Sequence, residues 1–419
     1  MSLATLPPQP QPQQTTAARQ RPPMQPRTDP LASSAANALL PLDASRRMPN
    51  LRGDPRSRAS NPRLSISDSR RQAGIDGEET DREPRCSGLL KVDSEIYSLK
   101  FSSDEAYLAL ASGDARISVF SMQSNTRELV LDPTLSDRVP CTSLCFRPDA
   151  AAFKNKSILA AAYADGSIRH WHYTSGQLLS SFTEDDNQTN ILVYCPDGGT
   201  FATAGSDMTL RLYDGVTQKR VAKICAGRGE KSSGHSNRIF CTKFHPTDPN
   251  LMVSGGWDNT IQIWDLRLGC AVRSFFGPHI CGDSLDFDDT GSVLLTGSYS
   301  KDDPLQIWSW ESGQVTTTVP WSQSGEAEPP MAMLYSAQFS KGTDAVGGPN
   351  RFILGGCSGA VKEARVFSNE TKKLVGSVTQ LSYAVYATAM SASDRFVALG
   401  GSGKTLIVCD VEEQSAEAR

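Results

Sequence analysis

Residues 234–265 read GHSNRIFCTKFHPTDPNLMVSGGWDNTIQIWD. Three apolar segments in this stretch, IFCTKF, LMVSGG and TIQIWD, are separated by residues rich in Pro, Asp and Asn. Short apolar runs bounded by such residues are typical of β-strands joined by turns. The stretch therefore predicts a strand, a Pro/Asp turn, a second strand, a hairpin at Asp258 and a third strand that ends at Trp264-Asp265.

The same pattern recurs along the chain. One marker closes the first strand of each copy, at Phe101, Phe146, Tyr194, Phe244, Phe287, Phe339 and Met390. A second marker closes a later strand, at Phe120, Trp171, Tyr213, Trp264, Trp308, Phe367 and Cys409. Spacings of the first marker run from 43 residues (Phe244 to Phe287) to 52 residues (Phe287 to Phe339). Seven copies of two markers in constant order predict a repeat fold.

The stretch at 234–265 resembles the WD-repeat family at each motif position. It has the Gly234-His235 pair, the Pro/Asp turn, the Asp258 hairpin and the closing Trp264-Asp265. In that family each repeat supplies four antiparallel strands, and seven repeats close into a ring. The resemblance covers residues 86–411 and implies an all-β fold, a seven-bladed WD-repeat β-propeller preceded by a disordered N-terminal tail.

The two ends of the repeat region are expected to meet in one blade. The seventh copy reaches its third strand at TLIVCD (405–410), and only a short polar C-terminal tail, 412–419, follows the propeller. Residues 86–92, CSGLLKV, precede the first copy and have no other place in the pattern. They would complete the seventh blade as its outer strand, which removes an exposed sheet end.

Residues 1–85 differ from the rest of the chain in composition. They hold 13 of the 25 prolines, and their 13 Arg, no Lys and 9 Asp plus Glu give a net charge of +4. The remaining 29 basic and 37 acidic residues give −8. Such a Pro- and Ser-rich segment with few aromatic residues is predicted to be disordered. Its charge is too dilute to indicate nucleic-acid binding.

Within that tail, RSRASNP (56–62) makes Ser60 a phosphorylation candidate. The arginines before Ser60 and the proline after it resemble a basophilic kinase site and a 14-3-3 docking motif. An unmodified solvated segment is the alternative.

The chain shows no apolar run of 18 residues and no secretory signal pattern, so we expect no membrane insertion and a cytoplasmic or nuclear protein. Its ten cysteines form no Cys-x-x-Cys pair, which favours reduced thiols. Cys141 and Cys145 would face one side of a strand, and His170 and His172 one side of another. Neither pair has further ligands in view, so we expect no metal and no cofactor, and we expect the histidines to be exposed or at an edge.

Near the C-terminus, FVALGGSGKTLIVCD (396–410) resembles the end of a nucleotide-binding loop. That loop requires a glycine five residues before Gly403, where this chain has Ala398. It must also open a helix, whereas an apolar β-type run follows Lys404. Aligned with 251–265, the stretch is instead the hairpin of the seventh repeat, with Gly403 at the position of Asp258.

His235, Ser254, Asp258 and Trp264 include the residue types of a hydrolase triad. The family resemblance implies instead that they form a structural tetrad of buried hydrogen bonds, since polar side chains in a β core must be paired. The sequence offers no exposed nucleophile elbow or oxyanion hole for Ser254. We therefore expect no enzymatic activity, a nucleotide hydrolase or a serine hydrolase being the competing interpretation.

The expected function is a non-catalytic scaffold that binds protein segments on one face of the propeller within a multi-protein complex. Residues at the strand entrances and hairpins of that face form two groups, one with Arg238, Phe240 and Trp257 and one with Tyr97, Tyr335 and Tyr386. Tyr, Trp and Arg dominate protein-binding hot spots. Ordinary packing between blades is the alternative for some of them. The sequence predicts no oligomeric state.

A second function is suggested by Trp264-Asp265-Leu266-Arg267 with Asp258 upstream. These residues resemble the box by which some WD-repeat proteins dock to the damaged-DNA-binding-protein adaptor of cullin ubiquitin ligases. The resemblance implies that Asp258, Trp264, Asp265 and Arg267 would mark a substrate receptor, with Arg267 on the side opposite the peptide face.

Overall fold

The computed structural model describes residues 86–133, 138–148, 156–225, 234–322, 331–342 and 350–411. Within these ranges the regular structure consists of β-strands, and no helix is long and apolar enough to cross a membrane. The N-terminal tail, with Ser60, and the polar tail at 412–419 lie outside the described residues.

The described strands form seven four-stranded antiparallel sheets, which we call blades one to seven. Blade one contains β2 (Ile96–Phe101), β3 (Tyr107–Ser112), β4 (Ile117–Ser121) and β5 (Thr126–Leu131). Blade two contains β6 (Cys141–Phe146), β7 (Ile158–Tyr163), β8 (Ser167–His172) and β9 (Gln177–Thr183). Blade three contains β10 (Thr189–Tyr194), β11 (Thr200–Gly205), β12 (Leu210–Asp214) and β13 (Arg220–Ile224).

The second half of the ring repeats this order. Blade four contains β14 (Ile239–Phe244), β15 (Leu251–Gly256), β16 (Thr260–Asp265) and β17 (Cys270–Phe276). Blade five contains β18 (Leu285–Phe287), β19 (Val293–Gly297), β20 (Leu305–Ser309) and β21 (Val315–Thr318). Blade six contains β22 (Leu334–Phe339), β23 (Phe352–Cys357), β24 (Ala364–Ser368) and β25 (Leu374–Val378). Blade seven contains β26 (Val385–Met390), β27 (Phe396–Gly401), β28 (Thr405–Asp410) and β1 (Cys86–Lys91).

The first strand of each repeat lies innermost and contacts the inner strands of the two neighbouring blades, so that β2 meets β26 where the ring closes. Apolar clusters fill the spaces between blades. One of them joins Leu99 and Leu110 of blade one to Ala398 and Leu406 of blade seven. The predicted all-β, seven-bladed propeller is confirmed.

Blade seven combines the two ends of the described chain. Strand β1 pairs antiparallel with β28, with Lys91 opposite Thr405 and Gly88 opposite Val408. Leu90 points into the core, whereas its neighbour Leu89 is exposed. The ring is therefore fastened by main-chain hydrogen bonds between segments more than 300 residues apart in sequence.

Side chains of the inner strands connect neighbouring blades where no ladder of main-chain hydrogen bonds exists. The Leu144 N–H donates to Ser98 Oγ at 3.2 Å, and the Leu192 N–H donates to Ser143 Oγ at 3.1 Å. Ser336 and Thr388 hydroxyls are 2.8 Å apart between blades six and seven. Buried backbone groups need partners, and hydroxyls on adjacent blades supply them.

The stretch FVALGGSGKTLIVCD forms the hairpin of β27 and β28, as its alignment with 251–265 predicts. A strand, not a helix, follows Lys404. A Cβ on Gly403 would overlap the Tyr383 ring, so any larger residue at this position requires that ring to move. Lys404 occupies the hairpin with a φ of 53°. The glycine thus accommodates a tyrosine ring.

Candidate binding surfaces at the mouth of the propeller

The residues predicted at the strand entrances share one backbone feature. In six blades the ladder between the first and second strand shifts register after the first paired residue, which leaves one extra residue in the inner strand. The extra residues are Tyr97, Thr142, Asn190, Phe240, Tyr335 and Tyr386. A β-bulge re-aims the side chain it carries. These six residues surround one end of the central channel, which we call the mouth.

One aromatic group at the mouth, the Trp257 cluster, consists of Arg238, Phe240, Trp257 and His279. Phe240 stacks on Trp257 with ring centroids 5.0 Å apart, and His279 stacks on Trp257 at 6.4 Å. The Arg238 guanidinium carbon lies 5.7 Å from the Trp257 ring centroid. Phe240 is buried beneath the group, whereas the other three side chains are half-buried.

His279 was not predicted at this surface. It enters from the loop before blade five, and its Nδ1 lies 2.6 Å from Asn259 Oδ1. Burial lowers the pKa of His279 and outweighs the nearby Asp258 carboxylate, so the ring is neutral at physiological pH. A stacked neutral imidazole extends the aromatic surface of Trp257.

The second group, the tyrosine cluster, consists of Tyr97, Tyr299, Tyr335 and Tyr386. Tyr97 and Tyr386 stack at 5.9 Å, Tyr335 meets Tyr386 edge-on at 5.1 Å, and Tyr299 meets Tyr335 at 5.2 Å. Tyr299 follows β19 of blade five and was not predicted. Tyr335 is buried, and the other three rings are half-buried. The structure therefore groups the three predicted tyrosines and adds a fourth.

The two clusters differ in charge. The Tyr97 hydroxyl donates to Glu95 Oε2 at 2.7 Å. Burial raises the pKa of Tyr97, Tyr335 and Tyr386, so these phenols stay protonated. Within the described ranges no cation lies within 4.0 Å of Glu95 and no carboxylate within 4.0 Å of Arg238. Among the described residues, one side of the mouth therefore carries an unpaired negative charge and the other an unpaired positive charge.

An ion cluster spans the channel beneath the mouth. Lys100 of blade one and Lys243 of blade four each place Nζ 2.7 Å from an Asp283 carboxylate oxygen. Burial alone would raise the pKa of Asp283, but the two ammonium groups outweigh it and lower the pKa far below its usual range. Asp283 takes the entrance position of blade five, where the inner strand is only three residues long.

The predicted tetrad forms one continuous hydrogen-bond chain. Trp264 Nε1 donates to Ser254 Oγ at 2.7 Å, and Ser254 Oγ lies 2.7 Å from His235 Nε2. His235 Nδ1 lies 2.8 Å from Asp258 Oδ2. With Trp264 as the first donor, Ser254 donates to His235 and His235 donates to Asp258. Ser254 is wholly inaccessible to solvent. The geometry joins loop, strand and hairpin within blade four.

Blade three builds a different network in the same place. Glu184 accepts hydrogen bonds from the hydroxyls of Thr203 and Tyr213, the latter at 2.7 Å. Asp207, which corresponds to Asp258 of blade four, pairs with Arg211 at 2.5 Å instead. Glu184 therefore takes the place that His235 has in blade four. Alignment of blade three with residues 234–265 could not indicate this.

Blade six has a third hydrogen-bond network in this place. Trp321 Nε1 donates to Glu363 Oε1 at 2.7 Å, and Arg365 Nε lies 2.8 Å from the same oxygen. All three side chains are buried. A Cβ on Gly355, at the position of Ser254, already lies 2.8 Å from the Trp321 ring, so the indole fills the space of the missing serine.

The residues of the ligase-docking motif are divided between two environments. Asp258 and Trp264 are engaged in the tetrad. Asp265 holds the Arg267 guanidinium through Nε at 3.1 Å and Nη2 at 2.7 Å. The Arg267 side chain is 63 % exposed, and Leu268 beside it is 67 % exposed. Arg267 lies at the end of the blade opposite the mouth.

Two expectations about possible metal ligands are wrong. The bulge at Thr142 reverses the alternation of β6, so that Cys141 and Cys145 pack in different apolar clusters. His170 is fully buried against Phe201 rather than exposed, and burial lowers its pKa to about 4. His172 is half-exposed beside Ser175. Among the described residues no three His, Cys, Asp or Glu side chains are grouped to hold a metal.

Comparison with known proteins agrees with this architecture. The family model described as WD domain, G-beta repeat, matches residues 176–214 and 230–265. These two segments of the chain match WD repeats. The matched repeats fall in blades two to four, and the remaining blades follow the same strand order in the structure.

Several curated proteins resemble this chain over part of its length. A guanine nucleotide-binding protein subunit beta from Zea mays is 26 % identical over 51 % of the chain and 55 % of the relative. The U3 small nucleolar RNA-associated protein 21 homolog of Schizosaccharomyces pombe is 27 % identical over 45 % of the chain and 19 % of the relative. The target of rapamycin complex subunit wat1 of the same yeast is 26 % identical over 38 % and 47 %. The chain thus spans at most about half of each of these relatives.

Proposed function

We propose that this protein is a non-catalytic scaffold that binds segments of partner proteins across the mouth of its propeller. The observation that carries the proposal is the pair of half-buried aromatic clusters, which include Phe240, Tyr97, Tyr335 and Tyr386 at β-bulges. Aromatic residues and Arg are enriched in the central, desolvated parts of protein interfaces. The relatives named as a G protein subunit and as a complex subunit support an assembly role.

The scaffold is expected to work in the cytoplasm or the nucleus, and the predicted 14-3-3 or kinase interaction at Ser60 would add a second contact outside the propeller. The expectation at Ser60 rests on the RSRASNP motif. A phosphate-affinity gel of the full chain, with Ser60→Ala as its control, tests the modification.

Alanine substitution at the mouth tests the main proposal. Trp257→Ala and Tyr386→Ala in the full chain should each remove a partner from the proteins that co-purify with the wild type. Phe276→Ala is the matched control, because Phe276 is an aromatic residue that is 76 % exposed on the outer strand of blade four. A lowered melting temperature with an unchanged set of partners would mean that the mouth residues only support packing.

A second candidate function is substrate receptor of a cullin-type ubiquitin ligase. It is favoured by the exposed Arg267, whose orientation Asp265 fixes through two hydrogen bonds. Arg267→Glu should abolish co-purification of the damaged-DNA-binding-protein adaptor, whereas Arg220→Glu, on the exposed outer strand of blade three, should leave it unchanged. Equal recovery of the adaptor with both variants would exclude this role.

A further inference from the structure

We infer that the mouth selects a peptide of mixed charge, which places a basic side chain, preferably arginine, on the tyrosine cluster and an acidic side chain on the Trp257 cluster. The inference rests on the proposed function and specifies the ligand of that surface. It follows from three features of the mouth: a carboxylate and a guanidinium that are unpaired within the part of the chain that the structure describes, and a channel crossed by an ion cluster between them.

The tyrosine cluster has the chemistry of a cation site. Tyrosine ring faces attract cations, and Tyr97 and Tyr386 present stacked, half-buried rings beside Glu95. Glu95 uses one oxygen to accept from Tyr97, and a carboxylate has further lone pairs for a guanidinium. Arg116, a nearby guanidinium in blade one, is already engaged by Asp114 and Asp132. A partner arginine can both stack on the rings and pair with Glu95.

The Trp257 cluster has the opposite character. Arg238 donates through one nitrogen to Gln188 Oε1 at 3.3 Å, which leaves most of its five N–H donors for a ligand. Two acidic groups of the hairpins in blades four and three are committed elsewhere, since Asp258 is bonded to His235 and Asp207 is paired with Arg211. An arginine held against an indole is suited to bidentate binding of a carboxylate.

The ion cluster beneath the mouth determines how a peptide could lie. Lys100 and Lys243 belong to blades one and four and meet at Asp283, so the channel is crossed by charged side chains at this level. A segment that reaches both aromatic clusters therefore runs over the ion cluster instead of threading through the channel. Its ends then rest on blades seven and one at one side and on blade four at the other, against opposite charges.

Selection from a random dodecapeptide library displayed on phage, with the full chain as bait, tests the inference. Peptides enriched on the wild type should combine an Arg or Lys in one half with an Asp or Glu in the other. Glu95→Gln should remove the selection for the basic residue alone, and Arg238→Gln the selection for the acidic residue alone. The matched controls, Glu128→Gln and Arg220→Gln on exposed outer strands, should select as the wild type does.

The affinity of a synthetic copy of an enriched peptide measures the size of these effects. By fluorescence anisotropy, Glu95→Gln should weaken its binding by about tenfold, because it removes the ion pair and leaves the tyrosine rings in place. Replacing the peptide's basic residue with Gln should weaken binding to the wild type more strongly, because the cation–π contact is lost as well, and should weaken binding to Glu95→Gln by a smaller factor than binding to the wild type. Such non-additivity identifies the two groups as direct partners.

The outcomes separate this inference from the proposed function. The inference would be overturned if the enriched peptides required Trp257 and Tyr386 but lacked the charge pair. It would also be overturned if peptides selected on the Glu95 and Arg238 variants still carried the charge pair. In both cases the proposed peptide binding would remain. An enrichment no greater than on blank matrix, or peptides that bind Trp257→Ala and Tyr386→Ala normally, would overturn both.

Discussion

Tyr97 and Tyr386 stack with their ring planes 1° apart, although they belong to the first and the last repeat of the chain. The contact exists only because the ring closes, and each ring is carried by the extra residue of a β-bulge. Closure of the propeller and construction of the candidate binding surface are therefore one event. This link makes both the fold and the surface open to test by substitution.

Closure depends on the buried face of the first strand. Leu90→Asp should destabilise the full chain by about 3 kcal/mol or more, because it places a charge in the core between blades seven and one. Leu89→Asp, the adjacent and exposed position, should change the free energy of unfolding by less than about 0.5 kcal/mol. Urea unfolding checks both variants. Equal effects would contradict the pairing of β1 with β28.

The tetrad of blade four should contribute to stability and not to catalysis. Ser254→Ala leaves Trp264 Nε1 and His235 Nε2 buried without their partner, which should cost about 2–3 kcal/mol. Ser236→Ala, in the exposed loop that follows His235, is the control and should be near neutral. If urea unfolding gave the two variants the same midpoint, the hydrogen-bond chain would not support the blade.

The glycine-rich hairpin should be sensitive to side-chain size and indifferent to nucleotide. Gly403→Ala forces the Tyr383 ring to move and should destabilise the protein by about 1–3 kcal/mol. Lys404→Ala, at the neighbouring position, should leave stability within about 0.5 kcal/mol. Neither the wild type nor Lys404→Ala should bind a fluorescent ATP or GTP analogue. Binding that Lys404→Ala abolishes would restore the nucleotide-loop interpretation.

The buried His170 should make stability depend on pH. Its pKa falls from 6.5 to about 4 on folding because burial disfavours the charged ring. The unfolded chain therefore binds more protons between those values, and stability is complete above pH 6.5 and declines toward pH 4, by roughly 3 kcal/mol in total. His170→Gln should flatten this decline in urea unfolding between pH 4.5 and 7, whereas His172→Gln should not. If the free energy of unfolding of the wild type and of both variants changed with pH in the same way, His170 would not be the group responsible.

The sequence predicts the architecture because the repeat markers are apolar residues that must enter the core at regular intervals. It also predicts the tetrad around Ser254, since one repeat retains every polar position. It does not predict Glu184 or the Trp321–Glu363–Arg365 group, because several polar sets can satisfy the same buried space. The rule that alternate residues of a strand face the same side fails at the β-bulges, so Cys141 and Cys145 face different sides of β6.

The sequence also predicts part of the candidate surface. The order of the repeats places Tyr335, Tyr386 and Tyr97 on adjacent blades, and the structure gives the contacts among them. His279 and Tyr299 enter from segments of blade five whose entrance is irregular, with an inner strand of three residues. Spacing along the chain carries no information about such approaches between blades.

Photo-crosslinking in cells tests whether one partner segment lies across both aromatic clusters of the mouth. The full chain would carry benzoylphenylalanine at position 257, at position 386 or, as the control, at the exposed rim position 276, and the adducts would be identified by mass spectrometry. We expect one partner segment to crosslink to position 257 and to position 386 and not to position 276. Adducts that form equally well at 276, or at neither mouth position, would contradict this expectation.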